Sequence, residues 1–210
     1  DVVGLGKTMI ATMIAKRFVE ANGKNTNILV VYPPALDDNW KNTFKLFGIK
    51  NKTQFITNGS LYKILEGRDQ YKSKEEFDLI IVDEAHGFRS DSSGKYDELQ
   101  KICKSQRRKD STSCGTAKKV MLLSATPLNN RPDDLLNLLL LFQNSQSCTI
   151  DGIPNLKAFF SPAKIVKGTA PIGAFNIPCR KTYKYMRCSE IFLNTICVKG
   201  NFIPFKCFID

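Results

Sequence analysis

Two short groups of residues have types and spacing suited to chemistry on phosphates. The first is residues 1–8, DVVGLGKT, which match the phosphate-binding pattern G-x-x-x-x-G-K-[ST] at every fixed position except the first glycine. Lys7 would bind the β- and γ-phosphates, and Thr8 would supply a hydroxyl to a magnesium ion. The loop residues whose backbone N–H groups would face the phosphates are Gly4, Leu5 and Gly6. This stretch predicts a polyphosphate site that opens a helix.

The second group is Asp83-Glu84-Ala85-His86, which directly follows the apolar run FDLIIV at 77–82. The run predicts a buried strand, and open α/β sheets bind ligands beyond the carboxyl ends of their strands. Asp83 would hold magnesium, largely through its water shell, while Glu84 would orient and deprotonate an attacking water. His86 is the single histidine of the chain, and we interpret it as a link between nucleotide state and a neighbouring motif. The alternative is a solvated acidic turn.

Apolar periodicity predicts the elements that position these groups. Short β-branched or apolar runs predict strands at 27–32, 53–57, 77–82 and 119–123. Helical spacing of apolar residues predicts helices at 8–21, 35–47, 61–65, 96–103 and up to residue 142. The alternation predicts an α/β lobe of three layers, with a mostly parallel sheet between two layers of helices. The strand that should precede the phosphate loop is missing from this lobe, and we expect that strand upstream of Asp1.

Two further features lie near the ends of predicted strands. Ser124 and Thr126 lie in the tight turn SATP after the fourth strand, where their hydroxyls are suited to bond a carboxylate or histidine. Trp40 lies at helical spacing with other apolar residues, and we interpret it as a core or interface anchor.

Taken together, the ordered motifs at 1–8, 30–40, 83–86 and 124–127 resemble those of superfamily II helicases, and within these the Swi/Snf-type DNA translocases. The resemblance covers residues 1–142. It implies a first RecA-like lobe that binds ATP and magnesium at the phosphate loop, Asp83 and Glu84. It also implies contact between the second motif and the DNA backbone, at Pro33, Pro34, Asn39 and Trp40. Finally, it implies coupling of hydrolysis to DNA binding at His86, Ser124 and Thr126.

We divide the chain into an incomplete ATP-binding lobe at 1–145, a linker with a short helix at 146–162, and an irregular tail at 163–210. The tail carries +6 of the net charge of +11 and four of the seven cysteines, without sustained periodicity. Aromatics among basic residues could form a surface for single-stranded nucleic acid. We favour the hypothesis that a frame change or premature end replaced the native continuation and left a poorly ordered tail.

Composition indicates the cellular compartment of the protein and the charge of its partner. No apolar run approaches the roughly 20 residues of a membrane span, so we expect no membrane association. The cysteines lack CxxC spacing, which argues against zinc and favours reduced thiols in the cytoplasm or nucleus. The positive charge favours an anionic partner such as DNA. The basic run QRRK at 106–109 could contact a nucleic acid backbone or be a solvated loop.

The functional hypothesis is the ATP-binding lobe of a DNA-dependent ATPase that moves along duplex DNA. Nothing after residue 142 resembles the family's second RecA-like lobe, whose arginines complete the ATP site. We therefore expect the chain by itself to hydrolyse ATP poorly. The alternative is a non-catalytic nucleotide- or nucleic-acid-binding module, such as a decayed helicase remnant. A P-loop kinase or switch GTPase is disfavoured, because neither needs the SATP turn on the strand after the acidic pair.

Overall fold

The computed structural model describes residues 6–23, 25–90, 93–107, 118–124, 132–150, 153, 155–160, 196–198 and 201–203. Its helices are α1 (Lys7–Asn22), α2 (Asp37–Leu46), α3 (Tyr62–Leu65), α4 (Gly94–Lys104), α5 (Pro132–Leu140) and α6 (Leu156–Phe160). Its strands are β1 (Ile28–Tyr32), β2 (Thr53–Thr57), β3 (Leu79–Val82), β4 (Lys119–Leu122), β5 (Ile196–Val198) and β6 (Asn201–Ile203). Short 3₁₀ turns precede α2, β2 and β3 and follow β3.

The sheet has the order β2-β1-β3-β4-β5-β6, and its first four strands are parallel. Every residue of β1 and β3 is buried, as expected for the central strands of a sheet covered on both faces. The edge strand β2 is mostly half-buried. The four strands predicted between residues 27 and 123 are thus confirmed, as is the α/β class with a parallel sheet.

Alternate residues of the strands face two separate apolar clusters, which gives the lobe its three layers. On one face, α1 and α2 pack through residues such as Ala15 and Phe44 against Ile28, Val30 and Ile81. On the other face, α4, α5 and α6 pack against a cluster that includes Leu29, Val31, Ile80, Val82 and Val120. Helix α6 belongs to this second cluster through Leu156 and Phe160, so the short helix predicted beyond residue 146 packs against the lobe.

Glycines set both ends of α1. Gly6 precedes the helix with a φ of 69° and Gly23 ends it with a φ of 86°, backbone conformations that favour glycine. The N–H of Gly23 donates to the carbonyl of Val19 at 2.9 Å, which caps the last turn. The predicted stop at 22–23 is confirmed. The predicted helix at 35–47 starts instead with a 3₁₀ turn at Pro34–Leu36, and α2 begins at Asp37.

A buried ion pair joins the segment after α4 to the amino-terminal end of the sheet. The Arg107 guanidinium contacts the Asp78 carboxylate, and the two side chains are only 4% and 2% exposed. Asp78 also accepts a hydrogen bond from the backbone N–H of Asn27 at 2.7 Å. Neither interpretation of the basic run at 106–109 holds for Arg107, because this residue is buried and paired within the lobe. Residues 108 and 109 lie outside the described residues.

Strands β5 and β6 extend the sheet beyond β4, each pairing in antiparallel orientation. The sequence predicted an irregular tail here and gave no strands. Three-residue strands are too short to produce the alternation by which a strand is recognised. The other residues of 163–210 lie outside the described residues, so the predicted disorder of the tail stays a prediction. No helix in the described part of the chain combines the length and apolar character needed to cross a membrane.

Candidate active site

The carboxyl ends of β1, β3 and β4 meet at one edge of the sheet. The N–H of Asp83 donates to the carbonyl of Val31 at 2.8 Å, and the N–H of Leu123 donates to Val82 at 2.8 Å. A third bond, from the N–H of Ala85 to the carbonyl of Leu123 at 2.8 Å, ties the acidic turn to the residue before Ser124. Backbone pairing therefore places the predicted acidic motif beside the start of the predicted SATP motif.

The phosphate-loop lysine lies against the acidic motif. Lys7 Nζ is 3.5 Å from Glu84 Oε1, although the two residues are 77 positions apart in the sequence. Both side chains are about one-third exposed, at 33% and 31%. An ion pair with this much solvent access contributes about 0.2–1 kcal/mol. Lys7 can therefore exchange Glu84 for another anion at little cost.

Asp83 is almost completely buried, with 4% of its surface exposed. Its Oδ2 accepts a hydrogen bond from the Trp40 indole N–H at 2.9 Å, and its Oδ1 accepts one from the N–H of Glu84 at 2.9 Å. Burial raises the pKa of the Asp83 carboxyl above its ordinary value, and the two donors and Lys7 offset part of that increase. A carboxylate held by one donor on each oxygen keeps further acceptor sites on both.

The backbone of Glu84 lies in the left-handed region, with φ 48° and ψ 48°. Among the described residues other than glycine, it alone has a positive φ. Such a conformation costs of order 1–3 kcal/mol and is concentrated at functional sites. This turn places Glu84 Oε1 near Lys7 and Glu84 Oε2 near His86. The distance from His86 Nδ1 to Glu84 Oε2 is 2.9 Å.

The other predicted site residues differ in exposure, and three of them lie outside the described residues. Thr8 is half-buried, and its hydroxyl accepts a long hydrogen bond of 3.4 Å from the exposed Asn39 amide. Pro33 is half-buried and Pro34 is exposed at the turn before α2. Ser124 is half-buried after β4. Gly4, Leu5 and Thr126 lie outside the described residues.

The burial of Trp40 was predicted from the sequence, but its hydrogen-bond partner was not. Trp40 is fully buried, in agreement with the interpretation as a core anchor. The absence of exposed surface on its ring argues against the predicted contact with a nucleic acid. The contact with Asp83 was not predicted. Its one sequence signal is chemical, because a buried indole N–H usually finds a hydrogen-bond acceptor.

The oxygen ligands of this site suit a magnesium ion that is bound together with a nucleotide. Within the described ranges, no group of three or more His, Cys, Asp or Glu side chains could hold a metal ion. The available oxygens are the Asp83 carboxylate and the Thr8 hydroxyl, which are the hard ligands that magnesium prefers. Magnesium is commonly bound by one or two protein groups, phosphate oxygens and water. The residues present fit that pattern.

The sequence matches the family described as "Type III restriction enzyme, res subunit" over residues 2–129, more than half of the chain. The chain belongs to this family. The match begins at the second residue of the phosphate-loop motif and includes the other three motifs, through the SATP turn. Together with the helicase relatives, it confirms the superfamily II helicase resemblance. The four parallel strands agree with a RecA-like lobe.

Three relatives are similar over about two-thirds of the chain. A Bacillus subtilis protein described as an uncharacterized ATP-dependent helicase, YqhH, is 26% identical over 155 residues, covering 68% of this chain and 25% of its own. An uncharacterized ATP-dependent helicase of Mycoplasma pneumoniae is 28% identical, covering 64% and 14%. Nucleoside triphosphatase I of Heliothis armigera entomopoxvirus is 27% identical, covering 65% and 22%. The chain thus spans a quarter or less of each relative's length.

Proposed function

We propose that the lobe binds ATP with magnesium and hydrolyses it, and that this reaction belongs to a DNA-dependent translocase. The observation that carries the proposal is the approach of Lys7 to Glu84 beside the buried Asp83. A phosphate-loop lysine, a metal-binding carboxylate and a general base must meet at one point for phosphoryl transfer to water. The proximity of Lys7 in α1 to Asp83 and Glu84 at the end of β3 supports assigning these three roles to them.

Each residue has a defined role in this proposal. Lys7 leaves its partly exposed pair with Glu84 and binds the β- and γ-phosphates. That exchange frees Glu84 to orient a water molecule and accept its proton. Asp83 and Thr8 provide oxygen ligands on the magnesium side. Magnesium, when bound with ATP, would neutralise charge on the phosphates.

The part of the proposal that concerns DNA has a different basis. Two of the relatives are described as ATP-dependent helicases. The resemblance of the motifs to those of Swi/Snf-type translocases implies a duplex DNA partner. The exposed turn at Pro34 and the exposed Asn39 are available for a phosphate backbone. We assign the coupling between DNA and hydrolysis to His86, Ser124 and Thr126. A second RecA-like lobe is the further partner that the resemblance implies.

The binding step is tested by Lys7→Ala. Removing the ammonium eliminates a charge-assisted contact worth about 1.5–3 kcal/mol, so we expect ATP to bind about 10- to 100-fold more weakly. Equilibrium dialysis with radiolabelled ATP in excess magnesium measures the change. Lys16→Ala is the matched control, because Lys16 is an exposed lysine of the same helix, about 13 Å further along its axis. Equal binding by both variants would remove the basis for the nucleotide site.

The DNA step is tested by ATP hydrolysis with and without duplex DNA. A DNA-coupled ATPase predicts a higher rate with DNA, and this stimulation should decline as salt is raised, because backbone contacts release counterions. The family match ends at residue 129, which keeps open a second candidate, a non-catalytic nucleotide- or nucleic-acid-binding module. ATP binding with background hydrolysis, unchanged by DNA, would favour that module over the translocase.

A further inference from the structure

Trp40 connects helix α2 to the acidic motif at the end of β3. Its indole N–H donates to Asp83 Oδ2 at 2.9 Å, and the side chain has no exposed surface. The pair joins residues 43 positions apart and lies within the core on the α1 and α2 face of the sheet. A buried carboxylate depends on its few donors for orientation, because water cannot replace them.

The indole is itself held rigidly. Its ring packs against Phe44 with a centroid distance of 5.7 Å, and Phe44 packs edge-on against Phe55 of β2 at 5.4 Å. Edge and tilted ring arrangements restrict the rings because only some relative orientations are favourable. Helix α2 also reaches the phosphate loop directly, since the Asn39 amide donates to the Thr8 hydroxyl at 3.4 Å. One helix thus contacts both groups that offer oxygen ligands to magnesium.

We propose that Trp40 is a positioning residue for the metal-binding carboxylate. Its N–H donates to Asp83 Oδ2 while the N–H of Glu84 donates to Oδ1, so rotation of the carboxylate plane would break both hydrogen bonds. Each oxygen keeps a further acceptor site, with which Asp83 would hold magnesium or its water shell. Groups that orient a metal ligand in this way typically change metal affinity or activity 10- to 100-fold when removed. The inference rests on the proposed binding of ATP with magnesium.

The test is Trp40→Phe, which keeps an aromatic ring and removes the N–H donor. Equilibrium dialysis with radiolabelled ATP is carried out across a magnesium titration and in EDTA. We expect the magnesium concentration for half-maximal ATP binding to rise about 10-fold. Binding of ATP in EDTA, which depends on Lys7 and not on the metal, should equal that of the unmodified chain. A general loss of structure would weaken both.

Phe47→Leu is the matched control. Phe47 lies at the carboxyl end of the same helix and packs against the same apolar cluster, while the ring that holds the indole is that of Phe44, so the magnesium requirement should stay unchanged. The inference is overturned if Trp40→Phe keeps the normal magnesium requirement, if Phe47→Leu shifts it equally, or if Trp40→Phe loses binding in EDTA as well. Absence of ATP binding by the unmodified chain would instead defeat the proposed function, and the inference with it.

A second measurement needs no variant. Trp40 is the single tryptophan of the chain, so its indole N–H gives one resonance in a nitrogen-15 NMR spectrum. We expect this resonance to move when magnesium and ATP are added together, and to move much less with ATP in EDTA. A resonance that stays in place while ATP with magnesium binds would show that the indole does not sense the metal, against the proposal.

Discussion

We expect Glu84→Gln to lower single-turnover ATP hydrolysis by about 10²- to 10⁴-fold, the usual contribution of a positioned general base. Glutamine keeps the size and hydrogen-bonding shape of glutamate but cannot accept a proton from water. Binding of ATP should be as tight as in the unmodified chain or tighter, because a negative charge beside Lys7 and the phosphates is removed. Excess protein over labelled ATP makes even the slow hydrolysis expected of this chain measurable.

The matched control for Glu84 is Glu66→Gln. Glu66 is an exposed glutamate paired with Arg68, with side-chain exposures of 51% and 46%, so its replacement should leave hydrolysis unchanged. A Glu84→Gln protein that hydrolyses ATP at the unmodified rate would show that another group activates water. Loss of binding together with hydrolysis would mean that Glu84 supports the architecture of the site and not the proton transfer.

The second large effect concerns stability and lies at the opposite end of the sheet. Arg107→Ala should lower the free energy of unfolding by about 3–5 kcal/mol, because it leaves the Asp78 carboxylate buried without its cation. Asp78 is anchored between strands, with its carboxylate bonded to the N–H of Asn27 and its carbonyl to the N–H of Lys119 at 2.9 Å. It cannot readily turn outward to water. Urea denaturation followed by circular dichroism measures the loss.

Arg68→Ala serves as the comparison for Arg107, since it removes an arginine from an exposed ion pair with Glu66. Exposed pairs contribute about 0–1 kcal/mol, so this variant should unfold near the midpoint of the unmodified chain. If the two arginine variants lose similar free energies of unfolding, the buried pair between Arg107 and Asp78 contributes no more to stability than an exposed pair does.

Much of the fold could be predicted because it is encoded locally. The runs ILVVY and LIIV are continuous apolar stretches rich in β-branched residues, which suit central strands of a parallel sheet. The stop at Gly23 follows from its backbone freedom. The place of Asp83 and Glu84 followed from the general rule that parallel strands present their ligand-binding residues at their carboxyl ends. In these cases, the local sequence together with the general rules of parallel sheets is enough to predict the structure.

The remaining features depend on contacts between distant parts of the chain. Arg107 looks like a surface residue within a basic run, and only the packing of α4 reveals Asp78 as its partner. Trp40 could be predicted as buried, but its choice of Asp83 as acceptor depends on how α2 crosses the end of β3. The left-handed conformation of Glu84 is imposed by the turn after β3, since glutamate has no local preference for it.

The most direct test of the proposed site is a crystal structure of the chain with a non-hydrolysable ATP analogue and Mn²⁺, whose anomalous signal locates the metal. We expect the triphosphate at the amino end of α1 with Lys7 on its terminal phosphates. The anomalous peak should lie between the Thr8 hydroxyl and the Asp83 carboxylate, with the Trp40 hydrogen bond retained. A nucleotide bound elsewhere, or a metal bound away from Asp83, would contradict the site described for this lobe.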